Sequence, residues 1–240
     1  MSILVVTGTD TGVGKTIVTA AVASLARERG SSVAVVKPAQ TGVTDTEPGD
    51  LDDVIRLSGV RTTFELSRFP DPLAPAAAAR LAGLPPVSLV QAAIRIKELA
   101  GSHQLVIVEG AGGLLVRFDE EGSTLADLAR MISAPVLLVT RAALGTLNHT
   151  ALTLEAMAHR GLEPAGVVIG SWPAEPGLAE RSNVSDLEML AARPLAGALP
   201  EGAGLLDRES FAHTARAGLG PALGGGFDPA AFRTTLRLFP

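Results

Sequence analysis

The sequence lacks cysteine and any long apolar run. Without cysteine, a disulfide scaffold, a thiolate metal site and a cysteine nucleophile are excluded. The net charge is −5 and Lys and Arg do not cluster, which argues against a nucleic-acid partner. No apolar run approaches the ~18 residues of a membrane span. The first residues carry neither the basic region nor the cleavage site of a signal peptide. Together these absences predict a soluble, cytoplasmic protein with no membrane partner.

Short apolar strands alternate with helix-length segments along most of the 240 residues. The predicted strands are Ile3–Thr7, Val33–Lys37, Leu105–Glu109, Val136–Thr140, Gly166–Ile169 and Leu195–Leu199. Predicted helices lie near Lys15–Arg29, Leu51–Ser58, Pro75–Ala82, Ser88–Ala100, Thr124–Ile132, Thr146–Arg160 and Val184–Ala191. Continuous apolar strands are typical of a parallel sheet covered on both faces. The pattern predicts an α/β fold with a doubly wound, mostly parallel sheet, in which ligands bind beyond the carboxyl ends of the strands.

The pattern weakens towards the C-terminus, into Gly, Ala and Pro with scattered Phe. We expect a single catalytic domain over residues 1–202 and a C-terminal appendage over 203–240, poorly ordered in part.

The segment from Gly8 to Thr16 follows the first strand and ends in Gly14-Lys15-Thr16. The regular phosphate-loop pattern would place its first glycine at position 9, but this chain has Thr9 there and Gly8 one residue earlier. The segment is therefore a phosphate loop one residue longer than the regular pattern. Glycines let backbone N–H groups approach phosphates, Lys15 reaches the β- and γ-phosphates, and the Thr16 hydroxyl suits Mg²⁺. A glycine turn that only packs a helix on a strand is the alternative. The loop predicts a sheet of the P-loop NTPase type.

Further charged residues end strands or begin helices. Lys37 ends the second strand in a Lys-Pro-x-x-Thr-Gly segment and points towards the same crevice, unless it is a solvated strand-end lysine. Asp50, Asp52 and Asp53 share the first turn of a helix; at least two of them are expected to serve only the helix dipole, while one could hold Mg²⁺. Glu109 ends a buried strand before a glycine turn, which is an unusual place for a charge unless a cation or ligand faces it.

A last segment, from Ala142 to Thr150, opens another helix after a strand. Its free N–H groups, with Thr and Asn side chains, predict either a second anion site or ordinary helix capping.

These motifs resemble the dethiobiotin synthase family, the ATP-dependent carboxylases of biotin synthesis. The resemblance covers about residues 1–202 and rests on residues 7–16, Lys37–Gly42, Glu109–Gly113 and Gly145–His149. It implies a ligase that joins CO₂ to 7,8-diaminononanoate (diaminopelargonate) at the expense of ATP, giving dethiobiotin, ADP and phosphate. A carbamate and a carbamic-phosphoric anhydride are the implied intermediates. The implied assembly is a homodimer that closes the substrate channel across its interface.

The resemblance also implies a role for each matched residue. Lys37 and Lys15 would be catalytic, and Thr16, Asp50 and Glu109 would bind Mg²⁺. The residues implied to bind the nucleotide are Gly12, Val13, Gly14, Lys15, Thr16, Ile17, Asp50, Glu109, Gly110, Ala111, Gly112, Gly170, Ser171, Pro200, Glu201 and Gly202. Those implied to bind the substrate are Thr11, Lys37, Thr41, Gly145, Thr146, Leu147 and Asn148.

One departure concerns the base of the nucleotide. Many members of the family carry an Asn-rich turn where this chain has Gly170-Ser171-Trp172-Pro173, so the amide that would read adenine is missing. Nucleotide preference therefore stays open. We expect Trp172 to anchor this loop, with stacking on a base as the alternative.

A nucleotide switch of the partitioning-ATPase type is the main competing hypothesis. Its hallmark is a second lysine early in the phosphate loop, and no lysine lies between Gly8 and Gly14 here. An amidoligase of the corrinoid pathway would need a glutamine-hydrolysing domain, for which the chain has neither a cysteine nor the length. The sequence therefore favours the synthase.

Overall fold

The structure is a computed structural model that describes residues 2–236. Met1, at the start of the domain predicted over 1–202, and residues 237–240, at the end of the predicted appendage, lie outside the described residues.

The strands are β1 (Ser2–Gly8), β2 (Val33–Lys37), β3 (Gln40–Thr41), β4 (Thr62–Glu65), β5 (Arg68–Phe69), β6 (Leu105–Gly113), β7 (Val136–Thr140), β8 (Pro164–Trp172) and β9 (Gly197–Pro200). The helices are α1 (Lys15–Glu28), α2 (Asp50–Ser58), α3 (Pro75–Ala82), α4 (Leu89–Ser102), α5 (Leu125–Met131), α6 (Thr146–His159), α7 (Leu178–Ala191), α8 (Arg208–Gly218) and α9 (Pro229–Thr235). Short 3₁₀ turns precede α8 and α9 at Ala203–Leu205 and Pro221–Leu223.

Seven strands form one parallel sheet in the order β4-β2-β6-β1-β7-β8-β9. Strand order reverses on either side of β1, so the predicted doubly wound α/β fold is confirmed. The remaining strands, β3 and β5, pair in a small sheet of their own. Sequence patterning missed β3, β4 and β5 because they are short and β4 is only half-buried.

Successive strand residues point to opposite sides of the sheet, so apolar strands have two faces to bury. Helices cover both of these faces. On one face, Val6 of β1 packs in a cluster with residues of α1, α2 and α8. On the other face, Val5 packs with residues of α4 and α5. A third cluster joins β8 and β9 to α7 and to Phe227 and Leu236 near the C-terminus.

Two strands run further than their apolar cores predict. β6 continues past Glu109 to Gly113, where it pairs with Gly8 of β1. β8 begins at Pro164 and continues to Trp172, which pairs with Pro200 of β9. Backbone pairing extends beyond the buried stretch in both cases, and the extensions past Glu109 and past Ile169 lie at the carboxyl edge of the sheet.

The C-terminal stretch folds as helices. Phe211, Ala215 and Leu219 are buried in the same cluster as α1, and Phe227 is buried against the end strands of the sheet. The domain boundary at residue 202 stays a prediction.

Candidate active site

The predicted site residues lie at the carboxyl edge of the sheet. β2, β6 and β1 are neighbours, so Lys37, Glu109 and the loop after Gly8 lie side by side at this edge. They line or adjoin a cavity of about 750 Å³, whose walls include Lys15, Lys37 and Asp50. Parallel strand order explains why residues so distant along the chain meet here.

The phosphate loop is shaped by its last glycine. Gly14 has φ of 95°, a conformation that favours glycine, and it precedes Lys15, the first residue of α1. A side chain at Gly14 would also meet the carbonyl oxygen of Gly170, 2.6 Å from its Cβ position. The loop therefore packs closely against the backbone of Gly170, and α1 begins at the cavity with Lys15.

Lys15 is buried at the start of α1. Its Nζ atom donates a hydrogen bond to the Asp10 carbonyl oxygen at 2.9 Å. Burial, reinforced by the positive charge of Lys37, lowers the pKa of Lys15 to about 8. The loop thus holds a cation that is poorly solvated and would gain from an anionic partner.

Lys37 lies between two carboxylates. Its Nζ atom donates to Oε1 of Glu109 at 2.8 Å and forms an ion pair with Asp50. Burial alone would lower the pKa of Lys37, but these carboxylates outweigh it and raise the pKa. The hydroxyl of Thr16 donates to the same Glu109 oxygen at 2.8 Å. The second oxygen of Glu109 is buried and has no hydrogen-bond partner among the described residues.

The structure distinguishes the three aspartates of the first turn of α2. Asp50 faces Lys37. Asp52 instead accepts a hydrogen bond from the Gly49 N–H at 2.7 Å, as a helix cap, and Asp53 pairs with Arg56 at 2.7 Å on the surface. Only Asp50 of these three lines the cavity.

The other predicted residues divide between the cavity and its surroundings. Those that line the cavity are Thr11, Gly12, Gly14, Thr16, Ile17, Thr41, Gly110, Ala111 and Gly112. Among the described residues, Gly145–Asn148 at the start of α6 lie outside it, and the Thr146 hydroxyl donates to the Arg141 carbonyl oxygen at 2.7 Å.

The turns expected to meet the base come together beside the loop. The Glu201 N–H donates to the Trp172 carbonyl oxygen at 2.7 Å, and Gly202 directly precedes the 3₁₀ turn that follows β9. Ser171 and Glu201 line a second cleft, of about 390 Å³, together with Gly12 and Val13 of the phosphate loop.

Sequence reasoning missed two positioning contacts. The Gln40 side chain accepts a hydrogen bond from the Asp50 N–H at 2.9 Å and so fixes the start of α2. Arg141 donates to the carboxylate of Asp10 and to the carbonyl of Thr11, both at 3.0 Å, and so ties the phosphate loop to the end of β7. The one available signal was a charge placed directly after a buried strand.

Comparison with known proteins identifies the family. The family described as an AAA domain matches residues 2–208. ATP-dependent dethiobiotin synthetase BioD of Parafrankia sp. (strain EAN1pec) is 64% identical over 97% of this chain and 98% of its own. The same enzyme of Streptomyces avermitilis is 56% identical over 97% of this chain and 98% of its own. This chain belongs to the ATP-dependent dethiobiotin synthetase family.

Solved structures show the fold that this synthetase family shares with other P-loop proteins. The septum site-determining protein MinD of Pyrococcus horikoshii gives a TM-score of 0.56 at 17% identity, covering 99% of each chain. Chloroplast FtsY of Physcomitrella patens gives 0.55 at 19% identity, covering 100% of this chain and 65% of its own. Within residues 2–236, no helix combines the length and the apolar character that crossing a membrane requires.

Proposed function

We propose that this chain catalyses the ATP-dependent carboxylation and ring closure of 7,8-diaminononanoate with CO₂, giving dethiobiotin, ADP and phosphate. The observation that carries the proposal is the cavity where Lys15, Lys37 and Asp50 meet, in a chain 64% identical to a dethiobiotin synthetase. One amine takes up CO₂ as a carbamate, and a carbamate oxygen attacks the γ-phosphorus of ATP, releasing ADP. The other amine then attacks the carbamate carbon, closes the ring and expels phosphate.

The residues suit a reaction in which the substrate itself is the nucleophile. Such a transfer needs positioning and positive charge rather than a protein nucleophile. Lys15 contacts the β- and γ-phosphates, while Lys37 stabilises negative charge on the carbamate and the transferring phosphoryl group. Gly12–Ile17 and Gly110–Gly112 surround the phosphates, and Thr11 and Thr41 contact the diamine or its carbamate.

Thr16, Asp50 and Glu109 fit a Mg²⁺ ion. They offer one hydroxyl and two carboxylates, the hard oxygen donors that Mg²⁺ prefers. The unpartnered buried oxygen of Glu109 also favours a cation, since a buried charge is otherwise costly. When bound with ATP, the ion would offset charge on the phosphate oxygens.

The base of the nucleotide would contact Gly170, Ser171 and Pro200–Gly202 beside the second cleft. Because the amide that reads adenine in many relatives is missing, we expect a looser choice of base, so CTP and GTP are to be tested beside ATP.

A homodimer would complete the substrate site. Gly145–Asn148 lie outside the cavity of their own subunit, which suits a role in holding the far carboxylate of a substrate bound mainly to the other subunit. Asn148→Ala is then expected to raise the KM for the diamine. At a diamine concentration below the KM of Asn148→Ala, mixing this protein with inactive Lys37→Ala should give more activity than either protein alone, since one site of a mixed dimer is intact. Failure of the mixture to recover activity, or a monomer by light scattering, would argue against this assembly.

The activity is tested by phosphate release from Mg-ATP and bicarbonate, with and without the diamine. We expect release that depends on the diamine and is lost in Lys37→Ala but retained in Lys97→Ala, a matched control at an exposed position on α4. Release that depends neither on the diamine nor on Lys37 would instead indicate a nucleotide switch of the partitioning-ATPase type. Silence with every nucleotide would contradict both.

A further inference from the structure

The C-terminal helix meets the nucleotide site through an aromatic contact. Phe232 of α9 packs edge-on against Trp172, with ring centroids 5.0 Å apart at 72°. Phe227 supports Phe232 from the side, at 5.2 Å. Aromatic pairs of this geometry stabilise a contact beyond the area they bury.

Trp172 is also fixed through its backbone. It is the last residue of β8, pairs with Pro200, and accepts the 2.7 Å hydrogen bond from Glu201. Between Ile169 and Trp172 the ladder with β9 is irregular. Gly170 and Ser171 therefore lie in a bulge whose far end is held by Trp172.

The near end of this bulge touches the phosphate loop. A Cβ atom at Gly170 would overlap the carbonyl oxygen of Val13 and lie 3.1 Å from Cα of Gly14. Backbone thus packs on backbone, and a shift of the bulge would move the loop or open a gap beside it. From α9 to the loop, the chain of contacts runs through Phe232, Trp172 and Gly170.

We infer that Phe232 is a positioning residue for the nucleotide, acting through Trp172 to hold the Gly170–Ser171 bulge against the phosphate loop. The inference rests on the proposed function in that it takes the bulge as part of the nucleotide site. It assigns α9 a role in ATP affinity that the domain boundary predicted at residue 202 would not suggest.

Calorimetric titration of the full chain with Mg-ATP tests this directly. We expect Phe232→Ala to raise the Kd for ATP about three- to tenfold, the range to which the strength of one aromatic pair converts. At saturating ATP, kcat should stay within about twofold, because the contact affects binding and not the reacting groups. Phe232→Leu keeps most of the packing volume and covers the case in which the alanine variant does not fold. Its Kd for ATP should lie between those of the wild type and of Phe232→Ala.

Leu236→Ala is the matched control. Leu236 is buried in the same cluster but offers no ring to Trp172, so it should lower stability without changing the Kd. An equal rise in Kd for Leu236→Ala would mean a general loss of packing and would overturn the inference. So would an unchanged Kd for both Phe232 variants.

The chain supplies its own probe, since Trp172 is the only tryptophan and there is no tyrosine. We expect Mg-ATP to shift its fluorescence in the wild type and to shift it less in Phe232→Ala. If Mg-ATP does not change the fluorescence of Trp172 in the wild type, the inference that Trp172 connects Phe232 to the nucleotide site would be overturned. Binding is measured here without the diamine, so a chain that binds ATP as expected but fails the phosphate-release assay would refute the proposed function alone.

Discussion

The Nζ atom of Lys37 donates a 2.8 Å hydrogen bond to Oε1 of Glu109, and the two side chains are 3% and 0% exposed. Removing one member of a buried ion pair leaves an uncompensated charge and costs about 3–5 kcal/mol. We expect Lys37→Met to lower the free energy of unfolding of the nucleotide-free chain by about that amount. Urea denaturation measures it, with the exposed Lys97→Met as control.

The same pair gives a double-mutant test. Replacing both charges, in Lys37→Met/Glu109→Gln, should recover much of the lost stability, because the fully buried carboxylate of Glu109 is gone, while the remaining carboxylate of Asp50 is 38% exposed. A Lys37→Met protein as stable as the wild type would show that the ion pair does not form in solution.

The lowered pKa of Lys15 predicts how stability depends on pH. Above about 8 the folded chain releases this proton, whereas the unfolded chain keeps it up to the ordinary value of 10.5. The unfolded state then binds more protons, so the contribution of Lys15 to stability becomes more favourable as pH rises across that interval. In the presence of a chelator and without nucleotide, we expect Lys15→Met to be more stable than the wild type at neutral pH.

This advantage of Lys15→Met should shrink one pH unit above the Lys15 pKa. Urea unfolding of both proteins at the two pH values measures the change. A difference that stays constant with pH would contradict the burial of a charged Lys15.

We expect the replacement of Arg141 to affect the phosphate loop but not the stability of the fold. Its pair with Asp10 is about half exposed on both sides, and such pairs contribute only about 0–1 kcal/mol. Arg141→Ala should therefore leave the unfolding midpoint nearly unchanged and raise the KM for ATP about three- to tenfold, since the loop loses its tie to β7. A lower kcat at unchanged KM would place Arg141 in the chemical step instead.

We expect a side chain at position 170 to clash with its neighbours. A methyl group there would overlap the Val13 carbonyl oxygen and stand 2.6 Å from Cγ1 of Val139. Gly170→Ala should lower stability by about 1–3 kcal/mol and weaken ATP binding. Gly101 near the end of α4 has nothing within 4 Å of its Cβ position, so Gly101→Ala should be neutral or stabilising by about 0.4–1 kcal/mol. Equal effects of the two substitutions in thermal unfolding would contradict this packing.

The elements that the sequence predicted best are those with a local signal. Continuous apolar runs marked β2 and β7 to the residue. Gly14-Lys15-Thr16 marked the start of α1, because few other loops need that set of residues. Lys37 and Glu109 were expected near the loop since parallel strands end at one edge of the sheet.

What escaped prediction depends on contacts between distant parts of the chain. Nothing local indicates that Arg141 reaches Asp10, 131 residues away, or that Phe232 packs on Trp172. Which aspartate faces Lys37 is decided by where α2 begins against Gln40, and the helix pattern alone leaves all three equivalent.

The position of β1 has a consequence for biosynthesis. It is translated before both of its partners, which are Leu105 and its neighbours in β6 and Val136 and its neighbours in β7. A nascent chain must carry this apolar strand unpaired until both partners have been translated. Such non-local pairing is intrinsically slow and leaves an aggregation-prone apolar segment exposed. Until β6 and β7 have been made, β1 therefore depends on protection against association with other chains.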